Sequence, residues 1–467
     1  MRIALVFSNP RRDLAGMVLL ASELSRRGAT CFLVPQMLWT RELSALAPDF
    51  VLLPNMRNEN GNRYKRLMGA GIGVGILDAE GGVLPSIEWY EDALDPDETL
   101  RHSITTFCSW GERMAKEAVE RKWFMPEQIS ITGHPRFDFH APFLRAVSLP
   151  ESPNPAKFVR PLVLISGRFS VANPQTMTPE EKIARLAQMR NYTPEYSRQF
   201  LATQQTAMKQ MCRMTNELAA AFPEVLFLYR PHPFERVETY REQRLLDERD
   251  NLLINREGFI EGWLAISDAL IHRGCTTAIE GAMRDVPALS PRWVVTPEEI
   301  ESSECVSIGC KDMAALKLHI ARLASGEKIE RPQEIVRAYE DVIREWFYRA
   351  DGLSHVRVAD AILASLQQRG STPDLNRCLT IFKETKGAPK TVKAHILNKL
   401  GKWRDRYVSG WKKSPFYFDL PWTNQIVDAL KTHDSARFSG LKADYAQSRG
   451  DYKLANQEGC AVTIYHD

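Results

Sequence analysis

Four short clusters of charged, hydroxyl-bearing and glycine residues follow apolar runs in this sequence, and each could do chemistry. The first, at 78–82, reads Asp-Ala-Glu-Gly-Gly. Two carboxylates beside glycines that let a ligand approach the backbone suit a general base or a nucleophile. A solvated turn is the alternative, because Asp and Gly are common turn formers. We take Asp78 and Glu80 as candidate catalytic residues.

A second cluster, at 230–233, reads Arg-Pro-His-Pro. The two prolines remove backbone donors and stiffen the loop, which fixes the position of His232. A histidine held in this way can donate a hydrogen bond to a phosphate or carboxylate, and Arg230 can add a cationic donor. A buried core histidine is the alternative. The double proline favours a ligand-binding loop that includes Pro233.

The third cluster lies between a predicted strand and a predicted helix. Its residues of interest are His272, Gly274, Thr276, Thr277 and Glu280. A glycine and two hydroxyls at a helix start offer free N–H groups, hydroxyl donors and the positive end of the helix dipole, which together bind phosphate. Glu280, one turn into the helix, is placed to accept from ribose hydroxyls. Alternatively, Thr276 is a plain N-cap and Glu280 is solvated.

The fourth cluster, at 133–138, reads Gly-His-Pro-Arg-Phe-Asp. Its first three residues could line one side of a cleft. For Arg136 and Asp138 a structural role is the better interpretation, because an Arg–Asp pair beside a proline turn needs no ligand to explain it. We expect these two side chains to pair locally.

A weaker fifth element is formed by Ser166, Gly167 and Arg168, at the end of another predicted strand. It could add a glycine and a cation near a diphosphate or carboxylate. Walker, HExxH, GxSxG and GxGxxG motifs do not occur in the sequence.

These clusters need a scaffold, and the first 145 residues alternate short apolar runs with helical patterns. Such alternation indicates βαβ units and a parallel sheet covered on both faces. The predicted strands are 3–7, 31–34, 50–53, 72–77, 104–108 and 129–132, and the predicted helices are about 13–27, 61–69 and 110–122. We therefore expect a Rossmann-like half here.

The alternation restarts near residue 160, after a proline-containing stretch at 145–160 that suits a linker. The predicted strands are 162–165, 225–229, 252–254, 269–272 and 286–289, with helices at about 195–221, 259–266, from 276 onward and within 333–366. Two Rossmann-like halves in tandem form a cleft at the carboxyl ends of their strands, where ligands of open α/β sheets bind. The expected domains are 1–150, 151–366 and 367–467.

Composition limits the class of protein. The 467 residues carry 61 Lys+Arg against 58 Asp+Glu, a net charge of +3, and 44% of them are hydrophobic. This balance argues against a disordered chain and against a dedicated nucleic-acid binder. Eight cysteines without a CxxC pair indicate reduced thiols rather than structural zinc. The chain starts like a first strand and has no run of ~18 apolar residues, so we expect a cytoplasmic protein.

The last hundred residues differ from the rest. Between 377 and 413 eleven Lys/Arg accompany two acidic residues, and aromatic and aliphatic residues recur near helical spacing. We expect a basic, mainly helical extension. Such a segment can lie on an anionic membrane surface, at ~1 kcal/mol per basic residue near the headgroups. The alternative is a solvated helix whose aromatic stripe packs on the second domain.

Residues 1–366 resemble the GT-B glycosyltransferases, and more closely the bacterial surface-polysaccharide enzymes that use CMP-activated sugars, the sialyltransferases and Kdo transferases. These enzymes carry an acidic D/E-D/E-G motif, an HP motif and a Ser/Thr pair at a later helix start. Asp78-Ala79-Glu80-Gly81 is similar to the first, with one residue inserted between the acids. His232-Pro233 and Thr276-Thr277 are similar to the other two.

The resemblance implies a role for each site residue. His232 and Thr276/Thr277 would hold the nucleotide phosphate and Glu280 the ribose, while Asp78 or Glu80 serves the reacting centre as base or nucleophile. It implies transfer of Kdo or another nonulosonic acid from a CMP-linked donor to a glycan or lipid-linked glycan of a capsule or lipopolysaccharide. No metal or other cofactor is expected, and a donor carboxylate gives Arg168 or Arg230 a partner.

Three other functions stay open. A CDP-glycerol or polyol-phosphate transferase also carries an R-x-HP element and a hydroxyl-bearing helix start, but needs no acidic partner motif. A UDP-sugar 2-epimerase shares the fold and works on a free nucleotide sugar without an acceptor. A catalytically inert GT-B-like scaffold would bind a polysaccharide enzyme through its basic tail.

Overall fold

A computed structural model describes most of the chain as two compact units. The first unit comprises Met1–Gly81, Leu94–Phe139 and the described part of 351–467. The second comprises Gly82–Ala93 and the described part of 140–350. The described residues are 1–57, 60–158, 160–187, 192–369, 373–374, 376, 378, 381, 417–449 and 461–466.

An eight-stranded sheet forms the centre of the first unit, in the order β13-β14-β2-β1-β3-β4-β5-β6. The six strands from β2 to β6 in this order are parallel, and β14 and β13 add antiparallel pairs at one edge. The strands are β1 Arg2–Phe7, β2 Thr30–Pro35, β3 Phe50–Leu53, β4 Gly73–Ile76, β5 Thr106–Ser109, β6 Ile129–Ile131, β13 Leu441–Tyr445 and β14 Val462–His466. β3 and β4 are buried along their whole length, as expected for parallel strands covered on both faces.

Helices cover this sheet. The longest, Pro10–Arg26, begins at Asn9, whose side chain accepts from the Arg11 amide, and its first residue is proline. The α-helices of the unit are Pro10–Arg26, Trp39–Leu46, Gly61–Gly69, Glu98–Arg101, Glu112–Glu120, Ser354–Arg369, Leu420–His433 and Ser435–Phe438, and a 3-10 turn spans Pro126–Gln128. The apolar runs between the helices thus lie inside a layered α/β unit.

The second unit contains six parallel strands in the order β12-β11-β10-β7-β8-β9. They are β7 Leu162–Ser166, β8 Leu226–Arg230, β9 Leu252–Ile254, β10 Ala269–Ile271, β11 Ala288–Pro291 and β12 Ile308–Cys310. One hydrophobic cluster joins the sheet to the helix Pro194–Ala221 and includes Phe227, Met211 and Ile320. The expected α/β class with two Rossmann-like parallel sheets is confirmed.

The remaining helices surround this second sheet. Its α-helices are Ile87–Ala93, Pro179–Leu186, Pro194–Ala221, Glu238–Glu242, Ile260–Leu264, Thr277–Met283, Glu301–Cys305, Met313–Ala324 and Gln333–Val342; a π-helical turn spans Ile343–Phe347 and a 3-10 turn Pro155–Lys157. A further 3-10 turn, Pro135–His140, spans the change from the first unit to the second. Thr193 caps the long helix, because its side chain accepts from the Tyr196 amide.

The C-terminal region contributes strands as well as the expected helices. β14 pairs with β2, and the Ser25 hydroxyl donates to the Ile464 carbonyl. Its residues alternate between the core and the outer face, with Val462 and Ile464 fully buried. These two strands were not predicted, because the prediction for this region was based on the basic charge of the preceding segment. The basic residues at 377–413 lie outside the described residues.

The unit boundaries differ from those expected at 150 and 366. The chain leaves the first unit after Phe139 and returns at Asp351. Leu144 and Leu149 are buried, and Arg145 donates to the Met283 carbonyl, so much of the expected linker packs within the second unit. Residues after 351 pack with the first unit because the helix Ser354–Arg369 contacts the helix that follows β1.

None of the described helices combines the length and the apolar character that crossing a membrane requires.

Candidate functional site

The turn after β4 separates its two acids by environment. Asp78 is 1% exposed, and its Oδ1 accepts from the Glu80 amide at 3.0 Å and from Arg57 Nη2 at 3.2 Å. The side chain of Glu80 is 54% exposed, with its Oε1 lying 3.8 Å from Arg12 Nη1. Asp78 therefore fixes the turn, and Glu80 is the acid that solvent and a substrate can reach.

Aromatic and cationic side chains support this turn from inside the unit. Trp110 Nε1 donates to the Asp78 carbonyl at 2.7 Å, and a Cβ added at Gly81 would lie 3.1 Å from the Trp110 ring. The Arg136 guanidinium lies 4.8 Å from the centre of the same ring and donates to the Ala79 carbonyl at 3.5 Å. These contacts fix the backbone on both sides of Glu80, so the turn presents this side chain in a defined position.

A buried ionic cluster lies at the start of the first helix. Asp13 accepts from Arg12 Nε at 2.7 Å and from the Asn9 amide at 3.0 Å. Burial favours its neutral form, but Arg12 and then Arg136 favour the carboxylate and lower the pKa of Asp13 to about 2. His134 has its pKa lowered, because it is buried and lies beside Arg136. It therefore stays neutral near pH 7.

The prediction that the Arg136 and Asp138 side chains pair with each other is wrong. Asp138 instead accepts from the Ser354 and His355 amides at 3.0 and 2.8 Å and contacts His355 Nδ1 at 2.8 Å. It thereby caps the helix Ser354–Arg369 from another part of the chain. The role is structural, as expected, but the partner lies more than two hundred residues away.

In the second unit the sheet brings three of the clusters to one edge. β7 lies between β10 and β8, with Ile165 opposite Ile271 and Ser166 opposite Arg230. The carboxyl ends of neighbouring parallel strands meet at the same edge, where open α/β sheets bind ligands. The loops that begin at Gly167, Pro231 and His272 are therefore neighbours.

One residue that the sequence analysis missed, Glu235, connects two of these loops. Its Oε1 accepts from the Phe169 amide at 2.7 Å and from the His232 amide at 3.0 Å. Its Oε2 accepts from the Tyr240 hydroxyl. Burial raises the pKa of Glu235 to about 7. The signal available in the sequence was an acid two residues after the Arg-Pro-His-Pro cluster.

His232 is held in one orientation by its own loop. Its Nδ1 accepts from the Phe234 amide at 3.2 Å. In the neutral ring the proton then resides on Nε2, which makes that atom a hydrogen-bond donor. Arg256 Nη1 donates to the carbonyls of Pro233 and Glu235 at 3.3 and 2.6 Å and stiffens the same loop. This geometry fits the expected role in binding an anion.

The two expected arginines are used differently. Arg230 is 8% exposed, and its Nη1 and Nη2 donate to the carbonyls of Glu257 and Gly258 at 2.7 and 2.6 Å. The guanidinium of Arg168 is 30% exposed, lies 3.8 Å from Glu298 Oε2 and covers Gly274, where an added Cβ would be 3.1 Å from Nη1. Arg168 is therefore the better placed of the two for an anionic ligand.

His272 is a structural residue rather than an accessible donor. It is fully buried, with Nε2 2.7 Å from the Ser307 hydroxyl and Nδ1 accepting from the Cys275 amide at 3.4 Å. Burial lowers its pKa to about 4. The neighbouring Gly274 amide donates to Glu304 Oε1 at 3.3 Å, and this hydrogen bond holds the turn in place.

Thr276 is the N-cap residue of the helix Thr277–Met283. Within the described ranges its side chain makes no capping hydrogen bond. Glu280 is 6% exposed rather than solvated. The Thr277 hydroxyl lies 3.2 Å from the Cys275 sulfur. These hydroxyls stand at the same edge as the loops after β7 and β8.

In the described part of the chain, no group of three or more His, Cys, Asp or Glu side chains could hold a metal ion.

Comparison with solved structures reveals the fold class. The UDP-GlcNAc 2-epimerase from Neisseria meningitidis, bound to UDP-GlcNAc, superposes with a TM-score of 0.50 at 12% identity, over 78% of this chain and 100% of that chain. A candidate UDP-N-acetylglucosamine 2-epimerase from Listeria monocytogenes gives a TM-score of 0.50 at 12% identity, over 79% of this chain and 97% of that chain. The chain therefore has a GT-B-like fold. At this identity the likeness extends to the fold alone.

No protein-family model matches the chain, and no functionally curated protein has a significantly similar sequence.

Proposed function

We propose that this protein is a glycosyltransferase that uses a nucleotide-activated sugar. The observation that carries the proposal is the meeting of three loops at the edge formed by β10, β7 and β8. They present His232 Nε2, the Arg168 guanidinium and the Thr276 and Thr277 hydroxyls, which are donors suited to a phosphate and a carboxylate. The GT-B-like fold supports a ligand of this class.

In this proposal the second unit binds the sugar donor. His232 and the two threonines hold the phosphate that leaves, and Arg168 contacts a second anionic group. Hydrogen-bond donors of this kind stabilise the negative charge that develops on the phosphate, without needing a metal ion. Glu280 is the candidate for the ribose. The buried Arg230 and His272 hold the loops in place rather than touching the ligand.

We assign the reacting carboxylate to Glu80. Asp78 holds the turn through Arg57 and the Glu80 amide, whereas Glu80 is exposed. Glu80 takes the proton of an acceptor hydroxyl, the hydroxyl oxygen bonds to the anomeric carbon, and the nucleotide leaves with the electron pair of the sugar–phosphate bond. The acceptor is a glycan or lipid-linked glycan.

For the donor we propose a CMP-linked nonulosonic acid such as Kdo. The support is the resemblance of the acidic, His-Pro and Thr-Thr motifs, together with Arg168, which offers a donor carboxylate a planar guanidinium. The whole proposal is tested by incubating the full chain with a glycan or lipid-linked glycan acceptor and with CMP-Kdo, CMP-sialic acid or UDP-GlcNAc, and measuring release of the nucleotide. Release from a CMP-linked sugar supports the donor assignment, and release from none contradicts it.

Glu80→Gln separates the two acids. It keeps the size of the side chain and removes the base, so we expect nucleotide release to fall by at least ~100-fold with unchanged affinity for CMP. Asp78→Asn is the matched comparison, and we expect it to lower thermal stability as well as activity, because the ion pair between Arg57 and Asp78 is lost. An unchanged rate in Glu80→Gln would contradict the assignment.

A second candidate is epimerisation of a free nucleotide sugar, which the fold likeness favours. Epimerisation at C2 exchanges the C2 hydrogen with solvent, and transfer does not. Incubating the chain with UDP-GlcNAc in D2O and recording the C2 proton by NMR distinguishes the two functions. Loss of that signal without release of UDP would replace the transferase proposal.

A further inference from the structure

A buried carboxyl bridges the loops that follow β7 and β8, in addition to backbone hydrogen bonds such as that from the Gln175 amide to the Phe234 carbonyl. Glu235 has no exposed surface, and its Oε1 is shared by two amides from different loops, those of Phe169 and His232. Its other oxygen accepts from the Tyr240 hydroxyl. One oxygen atom therefore holds the Phe169 and His232 amides at a fixed separation.

The packing around this carboxyl leaves little space. A Cβ added at Gly167 would lie 3.2 Å from Glu235 Oε1 and 3.4 Å from the Pro231 Cα. The first residue after β7 thus has to be small, because the neighbouring loop and the carboxyl press against it. Tyr229 and Cys212 also face the carboxyl from the sheet and from the long helix.

We propose that Glu235 is a positioning residue of the nucleotide-sugar site, which aligns the His232 loop with the Gly167 loop so that both contact the donor phosphate. The inference rests on the proposed function and deepens it, because it explains how a ligand-binding histidine is held. Glu235 itself touches no ligand. Its effect passes through the His232 amide, while the His232 ring is oriented separately by the Phe234 amide.

This role depends on an acceptor oxygen at Oε1 and not on the negative charge. Arg256, the cation near this carboxyl, donates to the carbonyls of Pro233 and Glu235. A glutamine side chain keeps the oxygen that both amides need and can turn its amide group toward the Tyr240 hydroxyl. An alanine removes the bridge. The conservative variant should therefore rescue what the truncation loses.

The test is isothermal titration of the full chain with CMP, CDP and UDP. For the nucleotide that binds wild type best, we expect Glu235→Ala to weaken affinity by at least ~10-fold, the size expected when buried hydrogen bonds are lost. Glu235→Gln should stay within ~3-fold of wild type. Wild-type affinity in Glu235→Ala, or equal losses in both variants, would overturn the positioning role.

Two further variants keep the test decisive. Glu261→Ala truncates another buried acid of the same unit, 6% exposed, on the helix Ile260–Leu264 and near Arg284. We expect it to lower the melting temperature without changing nucleotide affinity, and an equal loss of affinity would overturn the inference. If Glu235→Ala does not fold, Glu235→Asp replaces it, because the shorter side chain cannot reach both amides. Wild-type affinity in that folded variant would overturn the inference too.

The outcomes also separate this inference from the function beneath it. A wild-type chain that binds none of the three nucleotides overturns the proposed function and the positioning role together. A wild-type chain that binds a nucleotide, with Glu235→Ala binding it equally well, overturns the positioning role alone.

Discussion

Each unit buries a carboxyl beside its candidate site residues, and the two carboxyls behave in opposite ways. Asp13 and Glu235 are both removed from solvent, and burial favours the neutral form of each. Arg12 bonds directly to Asp13 and lowers its pKa to about 2. Glu235 is bonded by amides and a tyrosine, and its pKa rises to about 7.

A direct bond to a cation decides the charge of these two buried acids. Hydrogen bonds from amides favour the carboxylate form of Glu235, but the effect of burial on its pKa is larger. A bonded guanidinium does offset it at Asp13. The first unit therefore carries a fixed charge near Glu80, whereas the bridge in the second unit can exist without one near neutral pH.

The largest effect is expected where a charge is fixed. Asp13→Asn removes the buried carboxylate that accepts from Arg12 and lies near the buried Arg136, so we expect the free energy of unfolding to fall by about 3 kcal/mol. Urea unfolding of the full chain measures this. Asp360→Asn is the control, because Asp360 is 59% exposed and pairs with Arg27 on the surface. A loss under ~1 kcal/mol is expected there, and an equally small loss at Asp13 would contradict the comparison.

A smaller, pH-dependent effect is expected at Glu235. Its pKa is raised from 4.5 to about 7, so the folded state binds this proton more tightly than the unfolded state. The stability from this group is fully present below pH 4.5 and is lost as the pH rises through about 7. Relative to Glu235→Gln, wild type should lose ~2.5 kcal/mol of unfolding free energy between pH 5 and pH 8.

Asp13 should show the opposite dependence. Its pKa is lowered from 3.8 to about 2, so its contribution is present above pH 3.8 and is lost as the pH falls through about 2. Urea unfolding at several pH values, with both variants compared with wild type, distinguishes the two carboxyls. A difference between wild type and Glu235→Gln that does not change with pH would remove the contrast.

The sequence predicted what depends on local pattern. Apolar runs in the sequence predict buried strands such as β7 and β8. Clusters that follow neighbouring parallel strands must then lie at one edge of the sheet. The nearness of His232, Gly167 and Thr276 could therefore be expected before the structure was known.

The sequence could not predict which distant atoms meet these clusters. Arg230 donates to carbonyls at Glu257 and Gly258, and Asp138 caps a helix that starts at Ser354. These partners are backbone carbonyls and an amide, whose positions cannot be predicted from residue type. Glu235 was missed for a related reason, because its importance comes from the two amides that converge on it.

Titration calorimetry of CMP, CDP and UDP into wild type and His232→Ala tests the central claim most directly. His319→Ala, on the helix Met313–Ala324 of the same unit, is the control. We expect at least one nucleotide to bind wild type and the control alike, and to bind His232→Ala ~1–3 kcal/mol more weakly because a charge-assisted hydrogen bond is lost. Unchanged affinity in His232→Ala would contradict the placement of the phosphate at these loops.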